Sequence, residues 1–393
     1  MKKLIMTATI FVMTMTSNVL ADIKMGIILG FTGPIESLTP AMAASAELAF
    51  KEASDSGSLL GGEKISIERA DSTCVDSAAA TTAAEGLVSG GVVAIMGADC
   101  SGVTGAIATN VAVPNGVVMI SPSATSPGLT DLNDNGYFFR TAPSDARGGQ
   151  VLADITKDRK VKSIAVTHTN NDYGKGLADV YVAAVKAHGI NVTAVTAHEE
   201  GKGDYGAEVA TLAAAGGDAL AVLGYLDQAG GMIIQGSLDS GAFDVFVLSD
   251  GMIGDSLTDR FGKDLNKSFG SLPGSTGKGA GKFAEVAKAG GIDSSGPYTG
   301  ESYDAAALIA LSMQAGGNAD RGTIQANVMN VANAPGTKIY PGELKKALDL
   351  LAKGKKVNYE GATGVEFTDV GEAFGSFLEK EIKGGKFKTK KQR

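Results

Sequence analysis

The stretch VVAIMGADCSGVTGAIATNVAVPNGVVMISPSAT, residues 92–125, contains two short apolar runs separated by a segment with helical spacing. Runs that are apolar on both faces are typical of parallel strands covered on both sides by helices. The stretch therefore predicts a strand, a helix and a second strand of one parallel sheet. The same alternation reaches back to residue 22 and forward to about residue 140, which predicts a doubly wound α/β lobe.

The alternation starts again after residue 140 and predicts a second α/β lobe of similar size. Its predicted strands are SIAVTHTN, INVTAVTAHEE, DALAVLGY and DVFVLSD, with helices predicted at 173–188 and 205–215. Glycine and serine in SLPGSTGKGAGK, residues 271–282, predict an exposed connecting loop. The basic end KGGKFKTKKQR, residues 383–393, predicts a solvated tail.

Residues 1–21 have the pattern of a secretory signal peptide, with Lys2 and Lys3 before an apolar run and small residues before a predicted cleavage site after Ala21. The apolar run is shorter than the roughly 20 residues that a spanning helix needs. Cleavage removes two lysines from a chain of formal charge −8, so the remaining 372 residues carry −10. This acidity argues against a nucleic-acid partner, and the length suits two domains.

The two cysteines, Cys74 and Cys100, are most simply one disulfide in an exported chain. Such a bond would stabilise the fold by roughly 3–4 kcal/mol. A metal site is the weaker alternative, because none of the three histidines lies within twenty residues of either cysteine. Two unpaired buried thiols are the remaining alternative. We therefore expect no metal and no cofactor.

Ser101 lies at a predicted strand end, where open α/β sheets bind their ligands. A nucleophile elbow would require glycine on both sides of it, but Asp99 and Val103 occupy those positions. Ser101 is therefore predicted to cap a helix or bind a ligand. A secreted serine hydrolase, with His168 or His198 as the base, is kept as a lesser alternative.

Asp250 ends an apolar strand and precedes a glycine, which fits either a turn acid or a carboxylate facing an ammonium across a cleft. Tyr173, Tyr225 and Tyr298 lie at predicted strand or helix edges. They are either core residues or an amphipathic wall against a ligand. These four side chains are the strongest binding candidates that the residues themselves indicate.

The chain resembles the periplasmic substrate-binding proteins of branched-chain amino acid ABC transporters, the Leu/Ile/Val-binding type. The resemblance spans essentially all of residues 22–393 and rests on DIKMGIILGFTGPI, GADCSGVTGAIA, VVMISPSATSPGLT, RTAPSD, TNNDYGKGLADV, VLSDGM, SSGPYTGESYDA and GATGVEFTDVGEA in this order. It implies the type I periplasmic binding fold, with two doubly wound parallel-sheet lobes joined by a three-crossing hinge. Lobe 1 would comprise 22–143 and about 274–360, and lobe 2 would comprise 144–273 and about 361–393. The family's paired cysteines imply a Cys74–Cys100 disulfide.

The resemblance also implies a function: a monomeric, non-enzymatic periplasmic protein that traps an L-amino acid between its lobes and delivers it to an ABC permease. Ser101 and Thr125 would hold the ligand's carboxylate and ammonium ends, Tyr173 and Tyr225 would close over it, and Tyr298 would line its side chain. The implied ligand set is Ser101, Ser123, Ala124, Thr125, Tyr173, Tyr225, Asp250 and Tyr298.

Two departures from the family pattern concern specificity. Asp250 stands where the branched-chain binders typically carry glutamate, and Leu38 stands where they often carry an aromatic residue. Asp145, in RTAPSD, is a candidate second acid near the ammonium. The preferred side chain therefore stays open, and an amide, urea or organic acid is the alternative ligand. A sensor role is a further alternative to transport.

Overall fold

The first lobe is built on a parallel sheet of five strands in the order β2-β1-β3-β4-β5. The computed structural model describes residues 22–393, so the predicted signal peptide and its cleavage site lie outside the described residues. The elements are β1 (Ile23–Leu29), α1 (Thr39–Asp55), β2 (Ile65–Asp71), α2 (Ser77–Ser89), β3 (Ala94–Gly97), α3 (Ser101–Ile107), β4 (Val118–Ser121) and β5 (Phe138–Arg140). The predicted parallel lobe is confirmed.

The second lobe repeats this pattern, with parallel strands in the order β10-β9-β8-β6-β7. Its elements are α4 (Asp145–Asp158), β6 (Ser163–Thr169), α5 (Asp172–Ala187), β7 (Asn191–His198), α6 (Gly206–Ala215), β8 (Ala219–Leu223), α7 (Ala229–Ser240), β9 (Phe246–Leu248), α8 (Asp255–Phe261) and β10 (Phe269–Pro273). Strands β8 and β9 are buried along their whole length, as expected for a sheet covered on both faces.

The chain then returns to the first lobe, where a long buried helix packs against α1. The returning elements are α9 (Lys278–Ala289), α10 (Thr299–Gly316), α11 (Arg321–Ala332), β11 (Thr337–Ile339), α12 (Leu344–Leu351) and β12 (Val357–Tyr359). Finally β13 (Phe377–Ile382) and β14 (Phe387–Gln392) join the second sheet beside β10. The chain therefore crosses between lobes three times, after β5, β10 and β12.

The exact division of the chain between the lobes stays a prediction, with one adjustment at the third crossing. Phe367 stacks on Phe139 of β5, and the backbone amides of Ala362 and Thr363 donate to the carboxylate of Asp304 in α10. These partners all belong to the first lobe. We therefore place the third crossing after residue 367 and not at about 361.

Two predictions for the connecting segments need correction. The predicted loop at 271–282 is confined to residues 274–277, because 271–273 lie in the buried strand β10 and 278–282 begin α9. Gly279 allows close packing there, since a Cβ at this position would lie 2.0 Å from the carbonyl oxygen of Gly361. The basic end is not a tail, because β14 pairs antiparallel with β13. Arg393 fixes this end by pairing with Glu379 at 2.5 Å and Asp158 at 2.7 Å.

Cys74 and Cys100 form a disulfide, which confirms the predicted pairing. The bond joins the loop after β2 to the residue that precedes α3, next to the carboxyl end of β3. Within residues 22–393, no group of His, Cys, Asp and Glu side chains has an arrangement that could hold a metal ion. None of the described helices is both long and apolar enough to cross a membrane.

Candidate functional site

A cavity lies between the lobes, where the carboxyl ends of strands from both sheets meet. Its atom-free space, including its mouth, is about 340 Å³. The predicted site residues that line it are Leu38, Ser101, Ser123, Tyr173, Tyr225, Asp250 and Tyr298. We call it the binding cavity.

The first lobe contributes a serine-rich loop, residues 121–126, after β4. The Ser101 hydroxyl accepts a hydrogen bond from the backbone N–H of Ser126 at 3.1 Å, and the Ser123 hydroxyl donates to the carbonyl of Asp99 at 3.1 Å. Ala124 is buried within this loop and does not line the binding cavity. These bonds fix the small polar groups at the carboxyl ends of β3 and β4.

Arg140 holds the same loop from the side away from the binding cavity. It was not among the site residues predicted from the sequence. Its guanidinium donates to the carbonyl oxygens of Ala124 at 3.2 Å and Ser126 at 2.8 Å, and it forms an ion pair with Glu372. Only 1% of Arg140 is exposed, so these partners satisfy a buried charge. The available signal was a charged residue at the end of the apolar strand β5. Since Glu372 belongs to the third crossing, Arg140 joins the hinge to the loop.

Asp250 is the acid that the second lobe presents to the binding cavity. Its carboxylate accepts hydrogen bonds from the hydroxyls of Tyr173, at 2.7 Å, and Tyr298. Burial raises the pKa of Asp250, and the bonds from the two tyrosines oppose that rise. The Tyr173 and Tyr225 rings stack with their centroids 5.2 Å apart. Asp250 therefore lies in a cleft walled by aromatic rings, with little access to water.

Asp145 and Thr125 lie behind the binding cavity and do not line it. Both are buried, and the Thr125 hydroxyl lies close to the Asp145 carboxyl group. Burial raises the pKa of Asp145 well above its usual value, and the nearby charge of Asp250 raises it further. A cationic group would stabilise these two buried acids.

The two lobes are in contact around the binding cavity. Asp227 donates its backbone N–H to the carbonyl of Pro34 at 3.0 Å, and its carboxylate accepts from the Ser37 N–H at 2.9 Å. On the other side, the Ser126 hydroxyl donates to the Asp172 carbonyl at 2.9 Å. The conformation is therefore closed, and a ligand would be shielded from solvent.

The histidines do not support the serine hydrolase alternative. His198 is buried and its Nδ1 lies 2.8 Å from the Thr167 hydroxyl, while His168 contacts the carbonyl of Thr169. Burial lowers the pKa of His198 to about 4, so it is neutral at pH 7. Within residues 22–393, the hydroxyl of Ser101 pairs with a backbone amide and with no histidine. Ser101 therefore lacks the base that a nucleophile requires.

A family sequence model described as "Periplasmic binding protein" matches residues 22–342. The chain belongs to this family. An amino acid binding protein from Pseudomonas aeruginosa is 28% identical, over 81% of this chain and 85% of that protein. Leu/Ile/Val-binding protein homolog 1 of Brucella melitensis is 31% identical, over 76% of this chain and 80% of that protein. Homolog 3 of the same organism is 32% identical, but the match spans only 59% of its length.

Solved structures of periplasmic binding proteins share the fold. A leucine-binding protein from Thermotoga maritima superposes with a TM-score of 0.79 at 21% identity, covering 94% of this chain and 98% of that one. A branched-chain amino acid binding protein from Streptococcus pneumoniae, in complex with isoleucine, gives 0.77 at 22% identity, covering 95% and 99%. At these identities the likeness establishes the fold alone. It confirms the two-lobed type I architecture.

Proposed function

We propose that this periplasmic binding protein captures one L-amino acid between its lobes and delivers it to an ABC permease. The observation that carries the proposal is Asp250, a buried carboxylate that lines a closed cleft between the lobes. A buried acid binds an ammonium strongly because water does not compete for the charge. The family membership supports the transport role, and the relatives named Leu/Ile/Val-binding proteins support the ligand class.

In this proposal the ligand's ammonium faces Asp250, and Asp145 with Thr125 supports it from behind. The carboxylate lies against Ser101 and the backbone of residues 123–125. Tyr173 and Tyr225 cover the ligand from the second lobe, and Tyr298 lines its side chain. Ligand contacts to both lobes then favour the closed state over an open one.

The same proposal includes the location of the protein, its oligomeric state and a second candidate ligand. The mature protein begins after Ala21, acts in the periplasm as a monomer and catalyses no reaction. A neutral amide or urea is the second candidate ligand, since such molecules donate hydrogen bonds that buried acids accept. An organic acid fits less well, because its charge would face two carboxyl groups.

A thermal-shift panel tests the proposed function. The mature protein is unfolded, dialysed and refolded to remove bound ligand, then heated with L-amino acids, acetamide, urea and organic acids, each at about 1 mM. A micromolar binder adds roughly 4 kcal/mol at this concentration. We expect one group of L-amino acids to raise Tm by several degrees. A shift produced only by compounds without an ammonium would contradict the proposal.

A further inference from the structure

A second cavity lies next to the binding cavity, on its hinge side. It encloses about 720 Å³ of atom-free space, including its mouth, and we call it the hinge cavity. Its wall combines the second crossing, the start of α10 and strands β13 and β14, through residues that include Ser275, Thr276, Tyr298, Glu301, Lys380 and Thr389. Unlike the binding cavity, it contains a buried acid and a buried base.

Glu301 is the acid of the hinge cavity. It lies in the first turn of α10 and is only 4% exposed. Among residues 22–393, no other residue donates a hydrogen bond to its carboxyl group. Burial raises the pKa of Glu301 to about 8. A buried carboxyl group without a partner is costly, so a polar group placed in this cavity would stabilise it.

Lys380 is the base of the hinge cavity, and it is similarly short of partners. It is 9% exposed and donates one hydrogen bond, to the Thr389 hydroxyl at 3.0 Å. An ammonium has three donors, so two are left for a ligand. In the described part of the chain, it forms no ion pair with a carboxylate. Burial accordingly lowers the pKa of Lys380.

The hinge cavity adjoins the binding cavity by two routes. Tyr298 lines both, and its backbone has a φ of 58°, an uncommon conformation for an aromatic residue. A third cavity, in the cleft between the lobes, shares Leu38 with the binding cavity and shares Lys380 and Thr389 with the hinge cavity. The cleft therefore extends from Leu38 to Lys380 along a lining that does not include Tyr298.

We propose that the hinge cavity receives the end of the ligand's side chain, and that the ligand is an L-amino acid with a carboxamide or ureido terminus. This inference rests on the proposed function. The carbonyl oxygen of such a terminus accepts from Lys380, and its N–H groups donate to Glu301. A hydrocarbon side chain would leave both groups unpartnered, and sites built for hydrogen bonding discriminate strongly against ligands that cannot supply the bonds.

Isothermal titration of the refolded mature protein tests this inference with matched ligands. L-Glutamine and L-methionine have side chains of similar length, one ending in an amide and the other apolar, and L-citrulline and L-leucine extend the comparison. We expect glutamine or citrulline to bind at least tenfold more tightly than methionine and leucine. Leucine or methionine binding as tightly as both polar ligands would overturn the inference and leave the proposed function intact. If none of the four binds and the panel identifies no other amino acid, both fail.

Two variants test whether Lys380 and Glu301 cause the preference for polar side chains. Lys380→Met and Glu301→Gln keep the side-chain length, and each should reduce the ratio of polar-ligand to methionine affinity by at least tenfold. Lys391→Met is the matched control, because Lys391 is exposed on the neighbouring strand β14 and lies outside the cavity. Thermal unfolding checks that each variant is folded. If the ratio of polar-ligand to methionine affinity is unchanged in both cavity variants, the inference is overturned.

Discussion

Replacement of Asp250 by alanine is expected to weaken amino-acid binding by more than 100-fold. The carboxylate is buried and is the acid that lines the binding cavity from the second lobe. Its removal would take away the charged group that directly faces the ligand's ammonium in a closed cleft. Such a loss costs about 3 kcal/mol or more, equivalent to over 100-fold in Kd. Isothermal titration with the best amino acid from the panel measures the change.

Three further variants make this result specific to the buried charge. Asp250→Asn retains the shape and should still lose most of the affinity, whereas Asp250→Glu retains the charge and should lose less. Asp244→Asn is the matched control, since Asp244 is an exposed acid of the same lobe, paired with Lys267. Affinity of the Asp250→Ala variant within threefold of wild type would remove Asp250 from the ligand's contacts.

Loss of the disulfide is expected to lower the free energy of unfolding of the first lobe by about 3.5 kcal/mol. Cys74 and Cys100 are 26 residues apart, and a bond that closes a loop of this length restricts the unfolded chain by about that amount. Both residues are buried, so the variant Cys74→Ser/Cys100→Ser also places two hydroxyls in the core. Guanidinium denaturation, monitored separately for the two lobes, measures the loss.

Reduction of the wild-type protein separates the covalent bond from the effect of the hydroxyls. Dithiothreitol should shift the wild-type denaturation midpoint to lower guanidinium concentration and should leave the double serine variant unchanged. Cys100 also precedes Ser101 and lines the binding cavity. An identical midpoint for oxidised and reduced wild-type protein would contradict a stabilising role for the bond.

The fold was predictable because most of its strands can be identified from short local stretches of the sequence. Runs such as those of β3, β4, β8 and β9 are apolar on both faces, and each is followed by a segment with helical spacing. The basic strand β14 was not predictable in this way, because its lysines face solvent and its pairing partner is β13. The prediction for residues 271–282 was too broad for a related reason. Small residues such as Gly279 allow close packing against the neighbouring backbone and do not always indicate exposure.

The candidate site was predictable where it depends on strand ends. Ser101, Ser123 and Asp250 follow strands whose carboxyl ends meet, so one topological argument brings them together. Groups held by partners elsewhere in the chain were not predictable in this way. Arg140 donates to carbonyl oxygens 14 and 16 residues away, and Asp99, which lines the binding cavity, accepts hydrogen bonds from Gly30 at 2.5 Å and Ser72 at 2.8 Å. Such partners become apparent only when the chain is folded.

Recognition of the ligand's ammonium by Asp250 is the central claim, and one calorimetric comparison tests it most directly. The refolded mature protein is titrated with the amino acid that gives the largest thermal shift, and with the same molecule lacking its amino group. We predict one site per chain for the amino acid and at least 100-fold weaker binding of the des-amino acid. Equal affinity for the two would show that the buried acid does not bind an ammonium and would contradict the account.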